Sequence, residues 1–273
     1  MPATDVLYAV SNHIATLTIN RPEQRNTISQ DMLNGLSEHL LAADADEDVR
    51  AIIITGAGKF FCAGLDLTGG DIGPGAEDKG GENGGEKKRR RVHPTLDLRN
   101  TPPTVLHNLN TPTIAALNGS AAGYGMDLAL GCDIRIMADN AKLAAAFTAR
   151  GIVPESGGTW LLPRMIGWAK ASEIIFTGKT LTATECTEYG LVNSVVGHNE
   201  VADAAQEMAR QVAKNAPMAV QASKRMMRMG MDENFDDHVH HVYLQLLPLF
   251  QSEDFQEGMK SFLEKREPDF KGR

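Results

Sequence analysis

Cysteine is scarce in this sequence, and no arrangement of cysteines would form a disulfide framework or a structural zinc site. The three cysteines are Cys62, Cys132 and Cys186; they are widely spaced, and none belongs to a CxxC pair. Small disulfide-rich domains and zinc modules use paired, closely spaced cysteines. The sequence therefore predicts a protein of a reducing compartment, and we expect it in the cytoplasm.

Long apolar runs and an excess of positive charge are also missing. No stretch reaches the roughly 18 apolar residues of a membrane span, and the N-terminus lacks the basic and apolar regions of a signal peptide. The formal net charge is −8, which disfavours nucleic acid or an anionic membrane as a partner. The exception is the basic run at 87–91, which is compatible with a phosphate-bearing ligand and equally with a solvated loop.

The first half of the chain shows a strand and helix alternation that is typical of an α/β fold. Apolar residues at helical spacing predict a helix from an N-cap at Ser29 to about Ala43. Continuous apolar runs of strand length predict strands buried on both faces. Three such runs are residues 51–55, 113–117 and 134–138. Residues 15–20 are rich in β-branched side chains and predict a further strand that ends before Arg21-Pro22.

The last third of the chain is predicted to be helical, because apolar residues recur there every three or four positions. The predicted helices are residues 201–214, 217–230, 234–250 and 252–265. Residues 68–86 are rich in Gly, Asp and Glu, which predicts a mobile insertion within one domain. Such a loop either acts as a lid over the site or has no role.

Two glycine-rich turns each follow a predicted buried strand. The first spans residues 55–66 (TGAGKFFCAGLD), and the second spans residues 118–127 (NGSAAGYGMD) and opens an apolar helix. Small residues let a ligand approach the backbone, and a helix N-terminus presents free N–H groups. If the turns are adjacent, they can offer two N–H donors to one oxygen, as an oxyanion hole does. Neither turn matches a P-loop or a dinucleotide-binding GxGxxG motif.

Ordered motifs along almost the whole chain resemble the enoyl-CoA hydratase/isomerase (crotonase) family. They are Asn20-Arg21-Pro22, Phe61 to Asp66, Asn118 to Asp127, Cys132 to Arg135, Gly157-Gly158-Thr159, Leu162-Pro163-Arg164, Tyr189 to Val192, Ser252 to Phe255 and Phe262 to Arg266. The resemblance implies a crotonase-like α/β spiral of repeated ββα units over residues 1–200. It also implies a C-terminal helical trimerisation region over residues 201–273, with homotrimers that often pair into hexamers.

The resemblance also implies an acyl-CoA thioester substrate and no separate cofactor or metal, because coenzyme A is carried by the substrate. By position, the main-chain N–H groups of Leu65 and Tyr124 form the oxyanion hole. Tyr124 stands where the family usually has glycine, and its ring is expected to narrow the acyl pocket. The implied CoA contacts are Gln24, Arg25, Asn26, Ala63 and Asp66, together with Phe270 and Lys271 contributed from a neighbouring subunit.

The acidic residues distinguish between the reactions of this family. Hydratases resemble one another in two glutamates, and this chain has Asp127 and Phe147 at those positions. Asp is shorter than Glu by roughly 1.5 Å, and Phe147 cannot transfer a proton. Glu155 lies in a Pro-Glu-Ser-Gly-Gly segment similar to the Pro-Glu-Gly segment of Δ3,Δ2-enoyl-CoA isomerases, where the glutamate is the base.

A proton shift between two carbons needs only one carboxylate, so the leading hypothesis is double-bond isomerisation with Glu155 as base. Asp127 is then a helper or second proton carrier, or a buried structural group, and Phe147 excludes water from the site. The alternatives are a 2-enoyl-CoA hydratase that uses Asp127, and another enolate reaction such as thioester hydrolysis or decarboxylation. A further alternative is a non-catalytic acyl-CoA-binding protein.

Overall fold

The computed structural model describes residues 5–67 and 99–273 of the chain. The predicted insertion at 68–86 and the basic run at 87–91 lie outside the described residues. Within the described part, the strands are β1 (Val6–Ser11), β2 (Ile14–Ile19), β3 (Ala51–Gly56), β4 (Phe60–Cys62), β5 (Thr113–Leu117), β6 (Ser120–Ala122), β7 (Ile134–Ala138), β8 (Lys142–Ala144), β9 (Thr180–Thr182) and β10 (Ser194–Val196).

The helices alternate with the strands at first and then occupy the C-terminal region alone. They are α1 (Gln30–Ala45), α2 (Pro102–Asn108), α3 (Tyr124–Gly131), α4 (Gly158–Ile166), α5 (Trp168–Thr177), α6 (Ala183–Glu188), α7 (Val201–Ala213), α8 (Pro217–Met229), α9 (Phe235–Leu249) and α10 (Glu253–Glu264). The four predicted C-terminal helices are confirmed to within one residue at each end. Ser29 is confirmed as the N-cap of α1, because its hydroxyl accepts a hydrogen bond from the Met32 N–H.

The larger sheet has the strand order β1-β2-β3-β5-β7-β10. The β1–β2 pair is antiparallel, and the other neighbours are parallel. The central strands β3 and β5 are buried almost throughout, as their continuous apolar sequences predict. Helix α7 packs on β3, β5 and β7 through a stripe of small residues one turn apart, which are Val201, Ala205, Ala209 and Ala213.

The smaller sheet has the order β4-β6-β8-β9 and supports the site. The β4, β6 and β8 strands are parallel, and β9 is antiparallel to β8. Each of its strands has only three residues. A three-residue strand has too little alternation to be recognised in a sequence, so none of them was predicted. This sheet brings the ends of β4 and β6, and the turns that follow them, to one place.

Candidate active site

The two glycine-rich turns lie side by side because β4 and β6, one in each turn, are paired. Phe60 lies opposite Ser120 and Cys62 lies opposite Ala121. The close approach requires glycine, since a Cβ on Gly119 would collide with the Lys59 carbonyl oxygen and one on Gly125 with that of Cys62. The two turns are therefore adjacent, which is the condition on which the oxyanion-hole hypothesis depends.

Leu65 and Tyr124 each present a main-chain N–H that has no acceptor among the described residues. At Leu65 the cause is a parallel bridge to Ile28: the Ile28 N–H donates to the Gly64 carbonyl, and the Asp66 N–H donates to the Ile28 carbonyl. The Leu65 N–H therefore faces away from Ile28. Tyr124 is the first residue of α3, where an N–H has no acceptor within the helix.

These two N–H donors are close neighbours. Gly64 adopts a φ of +108°, and a Cβ built on it would lie 3.9 Å from the Tyr124 nitrogen. Both Leu65 and Tyr124 line the same cavity. Two convergent main-chain donors in a partly enclosed site are the arrangement that stabilises a negative oxygen.

That cavity, here called the outer cavity, has a volume of about 390 Å³. The residues proposed from the sequence that line it are Gln24, Ala63, Leu65, Asp66, Tyr124, Phe147 and Glu155. The Asp66 carboxylate lies 3.1 Å from the Arg21 guanidinium, which also donates to the Thr27 carbonyl. The Arg21 side chain thereby joins the first glycine turn to the segment around residue 24.

Arg25 and Asn26 do not line the outer cavity, although Gln24 and Thr27 on either side of them do. The Asn26 side chain is fully buried and donates to the carbonyls of Ala57 and Phe60. Its oxygen accepts from the Arg21 N–H. The structure thus uses the Asn26 side chain to hold the loop in shape.

A second cavity, here called the inner cavity, has a volume of about 340 Å³. It shares Tyr124 and Glu155 with the outer cavity, so these two residues stand where the cavities meet. Its apolar wall is formed by Leu106, Leu128 and Leu161. Asp127 lines the inner cavity and not the outer one. The two predicted acidic residues therefore lie in one site but at different depths.

His107 and Trp160 also line the inner cavity, and no pattern in the sequence indicated either of them. Their rings meet edge to face with centroids 5.2 Å apart. Burial, together with the nearby charge of Arg228, lowers the pKa of His107. The two residues come from α2 and α4, and only the tertiary structure brings them together.

Asp127 is buried, with 1% of its surface exposed. Its Oδ2 accepts hydrogen bonds from the Ser156 hydroxyl at 2.9 Å and from the Gly158 N–H at 3.0 Å. Its Oδ1 has no hydrogen-bond partner among the described residues. Burial raises the pKa of Asp127 to about 6, against the opposing effect of the two hydrogen bonds.

Glu155 is held by the loop between β8 and α4, with the buried residues Pro154 and Ser156 on either side of it. Its own side chain is exposed where the two cavities meet. Because the Ser156 hydroxyl donates to Asp127, the Asp127 carboxylate fixes the loop one residue from Glu155. The loop is further fixed by Gly158, where a Cβ would collide with the same carboxylate.

Phe147 is buried and lines the outer cavity together with Glu155. A Cβ on Gly123 would lie 3.9 Å from its ring, so Phe147 packs against the second glycine turn. Cys62 lies beneath the same turn, and burial raises the pKa of its thiol to about 12. This raised pKa favours the protonated Cys62 thiol at neutral pH.

Phe270 and Lys271 line neither of these cavities in their own chain. The Phe270 carbonyl accepts from Arg50, and the Lys271 N–H donates to Asp254. Their expected contact with CoA requires a second subunit.

Residues 5–67 and 99–273 contain no group of three or more His, Cys, Asp or Glu side chains that could hold a metal ion. The helices in this part of the chain are also too short or too polar to cross a membrane.

Comparison with known proteins agrees with this fold and site. The sequence profile of the family described as Enoyl-CoA hydratase/isomerase matches residues 9–273. The chain belongs to the enoyl-CoA hydratase/isomerase, or crotonase, family and is an acyl-CoA enzyme of that family. Its two sheets and C-terminal helical region are the crotonase fold.

Individual relatives differ in the reaction that they catalyse. The chain is 36% identical to a 1,2-epoxyphenylacetyl-CoA isomerase of Escherichia coli, over 98% of each protein. It is 35% identical to a short-chain-enoyl-CoA hydratase of Clostridium acetobutylicum, over the full length of both. Among solved structures, an enoyl-CoA hydratase of Mycobacterium tuberculosis superposes with a TM-score of 0.86 at 31% identity, over the full length of both chains.

Proposed function

We propose that this protein is an enoyl-CoA double-bond isomerase in which Glu155 is the base. The observation that carries the proposal is the position of Glu155. It is the only carboxylate of the described residues that lines the inner cavity and also the outer cavity beside Tyr124. A group that moves a proton along the acyl chain has to stand at this junction.

In this reaction the thioester oxygen accepts hydrogen bonds from the Leu65 and Tyr124 N–H groups. Glu155 removes a proton from the α-carbon of a 3-enoyl thioester and returns it to the γ-carbon. The dienolate that forms between these two steps carries its charge on the oxygen held by the two N–H groups. Phe147 keeps water from the outer cavity, which protects the dienolate from protonation by solvent.

Asp127 supports Glu155 through the loop that joins them. Its Oδ2 holds Ser156 and Gly158, which fixes the backbone on the C-terminal side of the base. A displacement of about 1 Å can cost a hundredfold in rate, so this support is expected to affect turnover. Asp127 also remains available as a second proton carrier through its unpartnered Oδ1.

The second candidate function is hydration of a 2-enoyl-CoA, and the Asp127 environment is the observation that favours it. A carboxyl group that lines a cavity, has a pKa of about 6 and keeps one buried oxygen without a hydrogen-bond partner among the described residues is suited to acid–base chemistry near neutral pH. Hydration uses Asp127 and Glu155 as a pair, whereas isomerisation needs Glu155 alone.

A turnover assay with matched 3-enoyl-CoA and 2-enoyl-CoA thioesters tests the proposal, with the absorbance of the conjugated thioester as the signal. We expect the signal to grow from the 3-enoyl substrate and to stay constant with the 2-enoyl substrate. Loss of signal from the 2-enoyl substrate, dependent on Asp127, would establish the hydratase instead. The exposed Glu188 at the end of α6 provides a control, since Glu188→Gln leaves both cavities intact.

We further propose a homotrimer or hexamer in which residues 201–273 form the contact between subunits. Large apolar side chains are exposed on α9 and α10, among them Phe235, Tyr243, Phe262 and Leu263. In such an assembly Phe270 and Lys271 come from a neighbouring chain and join Gln24, Ala63 and Asp66 around the CoA. Arg25 and Asn26 contribute to this CoA site through the backbone of their loop.

A further inference from the structure

Two polar atoms at the start of α3 are buried without a hydrogen-bond partner among the described residues. They are the Tyr124 hydroxyl and Asp127 Oδ1. Tyr124 is 6% exposed and Asp127 is 1% exposed. Residues three apart lie on the same face of a helix, and both of these residues line the inner cavity.

The two atoms have complementary hydrogen-bonding roles. Burial raises the pKa of the Tyr124 phenol above its usual range, so this group remains a donor. Asp127 Oδ1 is an acceptor above the pKa of about 6 of its carboxyl group. A hydroxyl group both accepts and donates, so one hydroxyl can satisfy both atoms.

Other polar side chains also line the inner cavity: His107 and Trp160 contact each other edge to face, and the Ser156 hydroxyl already donates to Asp127 Oδ2. The apolar part of the wall is formed by the side chains of Leu106, Leu128 and Leu161. An unsubstituted acyl chain would pack against these leucines and leave the Tyr124 hydroxyl and Asp127 Oδ1 desolvated and without a hydrogen-bond partner, which is unfavourable. The thioester oxygen cannot serve them, because in the proposed function it is held in the outer cavity by the main chain.

We propose that Tyr124 and Asp127 form a subsite for a hydroxyl group on the acyl chain, so that the preferred substrates are hydroxylated acyl-CoA thioesters. The Tyr124 hydroxyl donates to the substrate oxygen, and the substrate hydroxyl donates to Asp127 Oδ1. This inference rests on the proposed acyl-CoA site and adds a substrate class to it. Tyr124 therefore contributes its main-chain N–H to the thioester and its side chain to specificity.

The test is a binding measurement with saturated thioesters, which cannot isomerise. Calorimetric titration of the full-length protein compares hexanoyl-CoA with hexanoyl-CoA thioesters that carry one hydroxyl on carbon 4, 5 or 6. The variants are Tyr124→Phe, which removes only the hydroxyl, and Tyr8→Phe as a matched control. Tyr8 stacks on His39, outside both cavities.

We expect at least one hydroxylated thioester to bind the wild-type protein about tenfold more tightly than hexanoyl-CoA. Tyr124→Phe should reduce this preference to about twofold or less, and Tyr8→Phe should leave it unchanged. An absence of preference in the wild-type protein would overturn the inference. So would an equal loss of affinity for all thioesters in Tyr124→Phe, since that indicates a water molecule or a packing role at this place.

Because no bond is broken in this experiment, its failure leaves the isomerase proposal intact. If Glu155→Gln proves harmless to turnover, the binding preference still decides whether the hydroxyl subsite exists.

Discussion

The outer and inner cavities meet at Tyr124 and Glu155, yet they are built from different parts of the chain. The outer cavity takes its chemistry from the main chain, through the Leu65 and Tyr124 N–H groups and the glycines that let the turns approach. The inner cavity takes its chemistry from side chains, chiefly Asp127, His107 and Trp160. Donors that belong to the main chain are kept as long as the fold is kept, whereas functional side chains can be changed by single substitutions.

In the proposed function this difference lets one fold serve both reactions, and the relatives of this chain include an isomerase and a hydratase. Stabilisation of the thioester oxygen requires only the paired turns. The choice of reaction depends on which carboxylates face the acyl chain and on how their pKa values are set. Substitutions in the two cavities should therefore have different consequences.

The largest expected effect is on turnover, from Glu155→Gln. The amide cannot accept the α-proton, so isomerisation should fall about a thousandfold, while the affinity for a saturated acyl-CoA changes little. Steady-state kinetics and a binding titration measure the two effects separately. Glu188→Gln is the control, and unchanged turnover in Glu155→Gln would remove Glu155 from the mechanism.

The next effect concerns the glycines that let the two glycine-rich turns approach each other. Gly125→Ala places a methyl group against the Cys62 backbone and should reduce the free energy of unfolding by about 3 kcal/mol. Gly35→Ala, inside α1, is the control: its Cβ would lie 3.9 Å from the nearest atom, and it should stabilise the protein by up to about 1 kcal/mol. Denaturant unfolding measures both. Equal effects would mean that the turns are not held by close backbone contact.

A smaller effect is expected in the inner cavity, where Asp127→Asn should change the pH dependence of the free energy of unfolding. The pKa of Asp127 is raised from 3.8 to about 6 in the folded protein. The folded state therefore binds more protons than the unfolded state between these values, and ionisation of Asp127 lowers stability as pH rises through about 6. Asp127→Asn removes this cost while keeping an oxygen for Ser156 and Gly158.

The stability of Asp127→Asn relative to wild type should thus increase by about 1–3 kcal/mol between pH 4 and pH 7. Denaturant unfolding at the two pH values measures the change. A relative stability that is constant with pH would contradict the raised pKa.

The smallest effect is expected from Ser156→Ala. It removes one of the hydrogen bonds that lower the pKa of Asp127, so that pKa should rise above 6. The loss of the bond should also cost about 1 kcal/mol in stability. The pH profile of the free energy of unfolding should shift upwards, whereas Ser223→Ala, on the exposed part of α8, should leave it in place. A shift in the opposite direction would assign the profile to another group.

The sequence predicted the outer cavity better than the inner one. The central strands, the four C-terminal helices and the two glycine-rich turns could be predicted because continuous apolar runs, helical spacing and glycine clusters are local signals. The adjacency of the turns depends on the pairing of β4 with β6 and could not be predicted in this way. The family resemblance added Leu65, Tyr124, Asp127 and Glu155 as candidates. Their places at the two cavities became apparent only in the structure.

The inner cavity could not be predicted because its walls come from distant segments. His107 belongs to α2, Leu128 to α3 and Trp160 to α4, and no spacing in the sequence relates them. The structural use of the Asn26 side chain was likewise invisible, since it depends on carbonyls more than thirty residues away. Contacts of this kind are set by tertiary packing and leave no local pattern.

In the proposed mechanism Glu155, at the junction of the cavities, removes the α-proton of the bound thioester. The most direct measurement is exchange of the carbon-2 protons of a 3-enoyl-CoA with deuterium oxide, followed by NMR in the wild type, Glu155→Gln and Asp127→Asn. We expect Glu155→Gln to abolish the exchange, whereas Asp127→Asn should slow it but retain it. Exchange that survives in Glu155→Gln and disappears in Asp127→Asn would contradict the account and assign the proton transfer to the inner cavity.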